Sequence, residues 1–285
     1  MTNVIEIANL TKKYPNFLLN GISFSAPNGF VCGFIGQNGA GKTTTLKLML
    51  GMILKDGGDI KLMGRPADDV SIKEDIGVLF EQPYYQEDWT PLDVGKAMRP
   101  FYGHWEDGAY HQYLERFSLE PNQKFKTMSR GMKMKLGMAV TLSHNAKILL
   151  LDEPTSGLDP VGRDEMLDIL RDYMAEEDRS VFFSTHITSD LEKIADYITY
   201  IHKGNIIYSG PKDELVEKYC LVRGGSNDLP PAKRENILGL REYPSGFEGM
   251  INMEDIGGFP QGVVTETVSL DDIMVYISRE GVTND

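Results

Sequence analysis

The chain has 285 residues, 41% of them hydrophobic, and 42 acidic against 29 basic side chains give a net charge of −13. That size and apolar content support one large domain, or one domain with a small appendage, and argue against disorder. The acidic balance argues against non-specific binding to nucleic acid or anionic lipid, so no nucleic-acid partner is expected.

The first 28 residues alternate in the manner of antiparallel strands. Val4-Ile5-Glu6-Ile7 is one candidate and residues 18–26 another, closed by a turn at Pro27-Asn28-Gly29. Met1-Thr2-Asn3-Val4-Ile5-Glu6 lacks the basic and apolar parts of a secretory signal, and no run approaches the roughly 18 apolar residues of a membrane span. Phe30-Val31-Cys32-Gly33-Phe34-Ile35 reads as a strand and residues 43–50 as a helix. The two cysteines, Cys32 and Cys220, match no metal or redox spacing, and the chain reads as cytosolic. Asp59-Ile60-Lys61-Leu62 and Ile76-Gly77-Val78-Leu79-Phe80 are further strands, the second running into Glu81-Gln82-Pro83. Residues from about 90 to 145 read as mainly helical. Thr90 caps one helix with Pro91 in its first turn, residues 106–117 form another, and Ser129 caps a third reaching about Leu142.

Ile148-Leu149-Leu150-Leu151 is a continuous apolar run, as suits a strand buried on both faces of a largely parallel sheet, and it ends at Asp152-Glu153. A helix over residues 161–175 and a strand over 181–185, ending at His186, come next. A helix at 189–195, strands at 197–201 and 206–208 and a helix at 213–219 complete this part. Gly224-Gly225-Ser226-Asn227 and Pro230-Pro231 read as a linker. The last sixty or so residues are expected to hold a few strands and a closing helix at 269–279, with the capping pattern Ser269-Leu270-Asp271-Asp272.

Gly36-Gln37-Asn38-Gly39-Ala40-Gly41-Lys42-Thr43-Thr44 fits the phosphate-loop pattern G-x-x-x-x-G-K-[ST] without mismatch, between a strand and a helix. Glycines let successive backbone N–H groups face one anion, and the helix start adds its own free N–H groups and positive dipole end. Lys42 is placed to reach the β- and γ-phosphates and the Thr43 hydroxyl to ligand Mg²⁺, so the chain is expected to bind a nucleoside triphosphate. Asp152 and Glu153 stand at the C-terminal end of a buried strand, where ligands sit in open α/β sheets. Asp152 suits the hydration shell of Mg²⁺, and Glu153 suits orienting or deprotonating an attacking water.

With these residues in view, the chain resembles the nucleotide-binding subunit of an ATP-binding cassette (ABC) transporter. Leu151-Asp152-Glu153-Pro154-Thr155-Ser156-Gly157-Leu158-Asp159-Pro160 is similar to that family's Walker B and D-loop run, and Ser184-Thr185-His186 to its switch histidine. The resemblance covers about residues 3 to 222. It implies a P-loop NTPase of the ABC type, with a mixed sheet core, an antiparallel β subdomain and a helical signature subdomain at about 85–145. Residues 1–222 are the expected ATPase domain and 223–285 a small α+β accessory domain. By the same resemblance Tyr14 stacks on adenine, residues 36–44 wrap the phosphates, Asp159 lies at a dimer seam, and His186 bonds the γ-phosphate. Implied cofactors are ATP and Mg²⁺. Implied partners are a separate transmembrane permease and a second ATPase subunit, with this chain peripheral at the inner face of the membrane.

Two departures from the family pattern stand out. Its Leu-Ser-Gly-Gly-Gln signature reads Met128-Ser129-Arg130-Gly131-Met132, which keeps the Ser129 hydroxyl, the Gly131 backbone and a helix start, and adds the charge of Arg130. The glutamine that follows the strand at 76–80 falls on Glu81 by register, with Gln82 one residue later, so both are candidate Mg²⁺ ligands. Tyr84, Tyr85, Trp89, Phe101, Tyr102 and Trp105 lie where the family docks its membrane subunit, and serve equally well as core. The region is most similar to ATPases of small bacterial exporters. A soluble ABC ATPase that remodels a partner such as the ribosome, and a nucleotide-sensing regulator, are the alternatives.

Overall fold

Alternating strands bury one face and continuous apolar strands bury two, and the chain sorts its strands accordingly. The computed structural model describes residues 2–280. The chain opens with β1 (Asn3–Tyr14), β2 (Phe17–Pro27), β3 (Val31–Ile35), α1 (Lys42–Met49), β4 (Gly57–Leu62), β5 (Arg65–Pro66) and β6 (Ile76–Leu79). The helical region is α2 (Pro91–Met98), α3 (Asp107–Arg116) and α4 (Arg130–Leu142). Next come β7 (Ile148–Asp152), α5 (Pro160–Met174), β8 (Ser180–Thr185), α6 (Thr188–Ile194), β9 (Tyr197–His202), β10 (Asn205–Pro211) and α7 (Lys212–Glu217). The chain closes with β11 (Tyr219–Gly224), β12 (Ile237–Tyr243), β13 (Gly246–Asn252), β14 (Val264–Thr267) and α8 (Leu270–Glu280).

The central sheet has the order β10-β9-β3-β8-β7-β6, parallel except at β10. Its strands are buried along their whole length in β3, β7 and β8. Residues alternate between two cores: Ile148 and Leu150 pack with Leu46 and Met49 of α1, while Leu149 and Leu151 pack with Leu167 and Leu170 of α5. An antiparallel sheet, β2-β1-β4-β5, covers the first of these faces. The Phe34 ring lies 5.4 Å from Phe24 and 5.3 Å from Phe182, which ties the two sheets together. β1 runs seven residues beyond the alternation that marks its start, because bulges between Ile7 and Leu10 and between Leu10 and Lys12 break the period of two.

The helical region hangs on two capping arrangements. Thr90 and Asp93 cap α2 reciprocally, and Ser129 Oγ accepts from Met132 N at 3.2 Å to start α4. Tyr85, Trp89 and Trp105 pack against the core and Tyr102 stacks on His144, whereas Tyr84 and Phe101 are largely exposed.

The C-terminal strands form one antiparallel sheet, β12-β13-β11-β14. The boundary expected between residues 222 and 223 falls inside β11, and the expected linker at 224–231 is the connection from β11 towards β12. Leu270, Ile273, Met274 and Tyr276 of α8 are buried in the same core as Leu191 and Ala195 around α6 and Tyr200 of β9. The Ser269–Asp272 capping box closes as the sequence pattern expects, and Leu270 N donates to Glu192 Oε1 at 2.9 Å. Sheet and helix are therefore packed onto the core that α6 and β9 share.

His144 follows α4 and locks the helical region to β6. Its ring stacks 4.0 Å from that of Tyr102, with Nε2 3.3 Å from the Ile76 carbonyl. Burial holds its imidazole below the ordinary value of 6.5. A histidine kept neutral in the fold contributes stability above the unfolded value of 6.5, lost as pH falls through that value towards the folded one. Chemical denaturation between about pH 7.5 and 5.5 is therefore expected to show falling stability, and His144→Gln to flatten that slope by up to about 1.4 kcal/mol per pH unit. An unchanged slope in the variant contradicts this role.

Candidate functional site

β3, β7 and β8 lie side by side, so their C-terminal ends deliver the phosphate loop, Asp152-Glu153 and His186 to one edge of the sheet. The loop between β3 and α1 can curl because Gly39 and Gly41 take φ of 80° and 117°. Gly36 is required by close approach, since a Cβ there would lie 2.4 Å from the Ile201 carbonyl oxygen. The α1 start leaves backbone N–H groups free to face an anion.

Lys42 is 6% exposed, and its Nζ donates to the Gly36 carbonyl at 2.7 Å. The same nitrogen lies 3.2 Å from Glu153 Oε1, an ion pair by distance. That oxygen nonetheless accepts no hydrogen bond of good geometry, although it is buried. The other carboxylate oxygen of Glu153 is 2.8 Å from His186 Nδ1 and accepts from Thr185 Oγ1 at 3.2 Å. Glu153 itself sits in the left-handed region at φ 53°, a conformation that costs about 1–3 kcal/mol for a residue with a side chain. Its N–H donates to the Ser184 carbonyl at 2.8 Å, and Ser156 N donates to its carbonyl at 3.0 Å, which holds the backbone there.

Asp152 is buried and accepts from Ser184 Oγ at 2.5 Å and from Thr43 Oγ1 at 2.7 Å. Burial pushes its carboxyl above the usual carboxylate range, with the neighbouring Glu153 adding to the rise and the two hydroxyls opposing it. A cation at Thr43 and Asp152 would reverse that burial cost. No group of three acidic, histidine or cysteine side chains that could hold a metal alone occurs among the described residues. The donor set of one hydroxyl and one carboxylate therefore suits Mg²⁺ that brings phosphate and water oxygens with it. The orphaned Glu153 oxygen suits a water that donates to it.

A cleft of about 490 Å³ runs along this edge, walled by Tyr14, Asn16, Phe17, Asn38, Gly39, Gly41, Lys42, Thr43, Thr44, Glu81 and Glu153. Tyr14, at the end of β1, is 39% exposed and its ring centroid is 6.5 Å from that of Phe17. Glu81 is on this cleft wall, and Glu81 and Gln82 together line a second hollow. Asn16 and Phe17 were not singled out from the sequence, and their signal there is their place just after Tyr14, Asn16 in the β1–β2 turn and Phe17 at the start of β2.

Ser129 caps α4, and Arg130 and Gly131 are its first two residues. Ser129 and Asp159 are exposed, and within the chain each caps a helix, Asp159 Oδ1 accepting from Gly162 N at 2.7 Å. A Cβ on Gly131 would lie 3.1 Å from Leu158 Cδ2, so the signature turn rests on the run after Glu153. That run is anchored by Asp190, which accepts from Thr155 Oγ1 at 2.7 Å and pairs with Arg163 at 2.5 Å. This polar network was not legible, because its members lie on two helices and the connection after β7.

A phosphate loop at a helix start, with an Asp-Glu pair at the same edge of the sheet on the end of the next strand but one, defines a P-loop nucleotide hydrolase. The family profile for the ABC transporter matches residues 19–156. The bacitracin transport ATP-binding protein BcrA of Bacillus licheniformis is 32% identical over 89% of this chain and 85% of its own. The lantibiotic transport ATP-binding protein SrtF of Streptococcus pyogenes is 35% identical over 72% of this chain and 89% of its own. Among solved structures, an ATP-binding subunit of an ABC transporter superposes with a TM-score of 0.67 at 24% identity, covering 74% of this chain and 91% of that one. The chain belongs to the ABC transporter family as an ATP-binding subunit, and it is an ATPase.

The loop geometry leads to a direct expectation. At Gly41 a Cβ would be strained by φ 117° and would lie 2.9 Å from Phe17 Cζ. Gly41→Ala is expected to weaken binding of a fluorescent ATP analogue by at least about tenfold, the equivalent of 1.4 kcal/mol, while the chain still melts cooperatively. Unchanged affinity contradicts this placement of the nucleotide.

Proposed function

We propose that this chain drives an exporter: two copies, or this chain and a paralogue, close around two ATP molecules and pass the motion to a separate membrane-spanning permease. The observation that carries the reading is the Glu153 carboxylate, held between Lys42 and His186 with one buried oxygen lacking a donor. A base so placed is suited to a water at the γ-phosphate.

Tyr14 and Phe17 receive the adenine ring. Residues 36–44 wrap the phosphates with their N–H groups, and Lys42 turns its ammonium from the Gly36 carbonyl to the β- and γ-oxygens. Thr43 and Asp152 would hold Mg²⁺, with Glu81 on the cleft wall. When bound, Mg²⁺ neutralises charge on the β- and γ-phosphoryl oxygens. Glu153 takes a proton from the attacking water as the water oxygen bonds to the γ-phosphorus. The bond from that phosphorus to the bridging oxygen breaks, and the oxygen leaves on ADP with the bonding electrons. His186 holds the γ-phosphate and, through Nδ1, the orientation of Glu153. Ser129, Arg130 and Gly131 of one copy face the nucleotide of the other, and Asp159 lies along the seam. ADP lacks the γ-phosphate contacts, so hydrolysis releases the pair.

Transport comes from the relatives, whose names tie them to bacitracin and to a lantibiotic. Among the described residues no helix is long and apolar enough to cross a membrane, which is in keeping with a separate permease. A hollow of about 430 Å³ lined by Glu81, Gln82, Tyr84, Phe125 and Lys133 is the proposed docking point on the inner membrane face, with Tyr84 75% exposed beside it. The C-terminal sheet and α8 act as an accessory unit on α6, the helix after His186. The names of the relatives give the soluble-remodelling and sensor alternatives no support.

Glu153→Gln removes the base and keeps the shape. It is expected to bind ATP normally, to lose about 10²–10⁴-fold in steady-state phosphate release, and to accumulate as a dimer with ATP but not with ADP. Near-normal turnover in that variant would falsify the assignment of Glu153.

A further inference from the structure

The two departures from the family pattern, Glu81 and Arg130, meet in space. Arg130 Nη2 donates to Glu81 Oε1 at 2.6 Å, and the same nitrogen is 2.9 Å from Ser156 Oγ. Its stem lies across the D-loop backbone, so that a Cβ on Gly157 would be 2.8 Å from Arg130 Cδ. Gly157 permits this close approach because it has no Cβ, and its φ of 79° independently favours glycine. The guanidinium is thus engaged within its own chain, by the wall of its own nucleotide cleft on one side and by the segment after Glu153 on the other.

Building on the paired arrangement above, we propose that Arg130 is a γ-phosphate ligand acting across the dimer seam, and that Glu81 and Ser156 of its own chain hold it back until the pair closes. A guanidinium binds carboxylate and phosphate with the same planar fork, so one partner can replace the other. At closure Arg130 exchanges the Glu81 carboxylate for the partner copy's γ-phosphate, and Glu81 is freed towards the nucleotide in its own cleft. Each signature arginine is then coupled to both cleft walls at once. The charge of Arg130 stands in for the polar signature side chain that Met132 lacks. The pair is half exposed, at 50% for Arg130 and 43% for Glu81, so it is weak enough to exchange rather than a fixed support.

The test uses the full chain carrying Glu153→Gln, with the ATP concentration for half-maximal dimerisation read by light scattering. Adding Glu81→Gln, which installs the family's usual residue, is expected to lower that concentration about two- to fivefold, the range an exposed ion pair allows. Ser156→Ala, which loosens Arg130 without touching Glu81, is expected to shift it the same way by less. Arg130→Gln is expected to raise it about tenfold or more, as loss of a charged hydrogen bond to phosphate requires, and to abolish both other shifts. ADP is expected to produce dimer in none of the variants. If the Glu153→Gln parent does not dimerise with ATP, the paired arrangement fails and this proposal with it. If the parent dimerises but Glu81→Gln and Ser156→Ala leave the midpoint unmoved, or still move it in the Arg130→Gln background, the holding role alone is overturned.

Discussion

Everything at the site hangs on a carboxylate that the fold forces into a place it does not favour. Glu153 leaves the end of the fully buried β7 in a left-handed conformation, and its side chain turns back between the Lys42 ammonium and the His186 ring. The backbone bonds from Glu153 to Ser184 and from Ser156 to Glu153 hold that turn in place. An isolated residue would relax out of it, so the local strain is maintained by the packed strands on either side. One short segment thereby joins the phosphate loop, the switch histidine and the D-loop run. A shift in any of them reaches the others through Glu153.

Much of this was legible before the fold was known, and for a physical reason. Phosphate chemistry demands a backbone shape that few residues permit, so Gly36, Gly39 and Gly41 announce the loop. A strand buried on both faces must be continuously apolar, so the run ending at Asp152 announces the sheet edge. What was not legible depends on contacts between distant segments. The Glu81–Arg130 pair joins residues 49 positions apart. The Thr155–Asp190–Arg163 network joins two helices and the connection after β7. Neither leaves a periodic trace. β1 outran its alternation because bulges shift its register, and β11 was missed because its first residue was read as the end of a helix and its last, Gly224, as the start of a linker.

The C-terminal residues show the same limit in another form. A helix with a clear capping box was recognisable, but the surface it covers was not. α8 buries Ile273 and Tyr276 against the core around α6, and α6 begins two residues after His186. Thr188 Oγ1 also lies 3.4 Å from Asp271 Oδ1. The closing helix therefore contacts the segment that follows His186.

In the proposed function, chemistry at Glu153 drives a membrane partner. The most direct measurement is purification of the tagged Glu153→Gln chain from its own host, with ATP and a mild detergent, followed by identification of what accompanies it. The expected result is a multi-span membrane protein at stoichiometric yield. Ribosomal or other soluble partners at that yield, with no membrane protein, would contradict it.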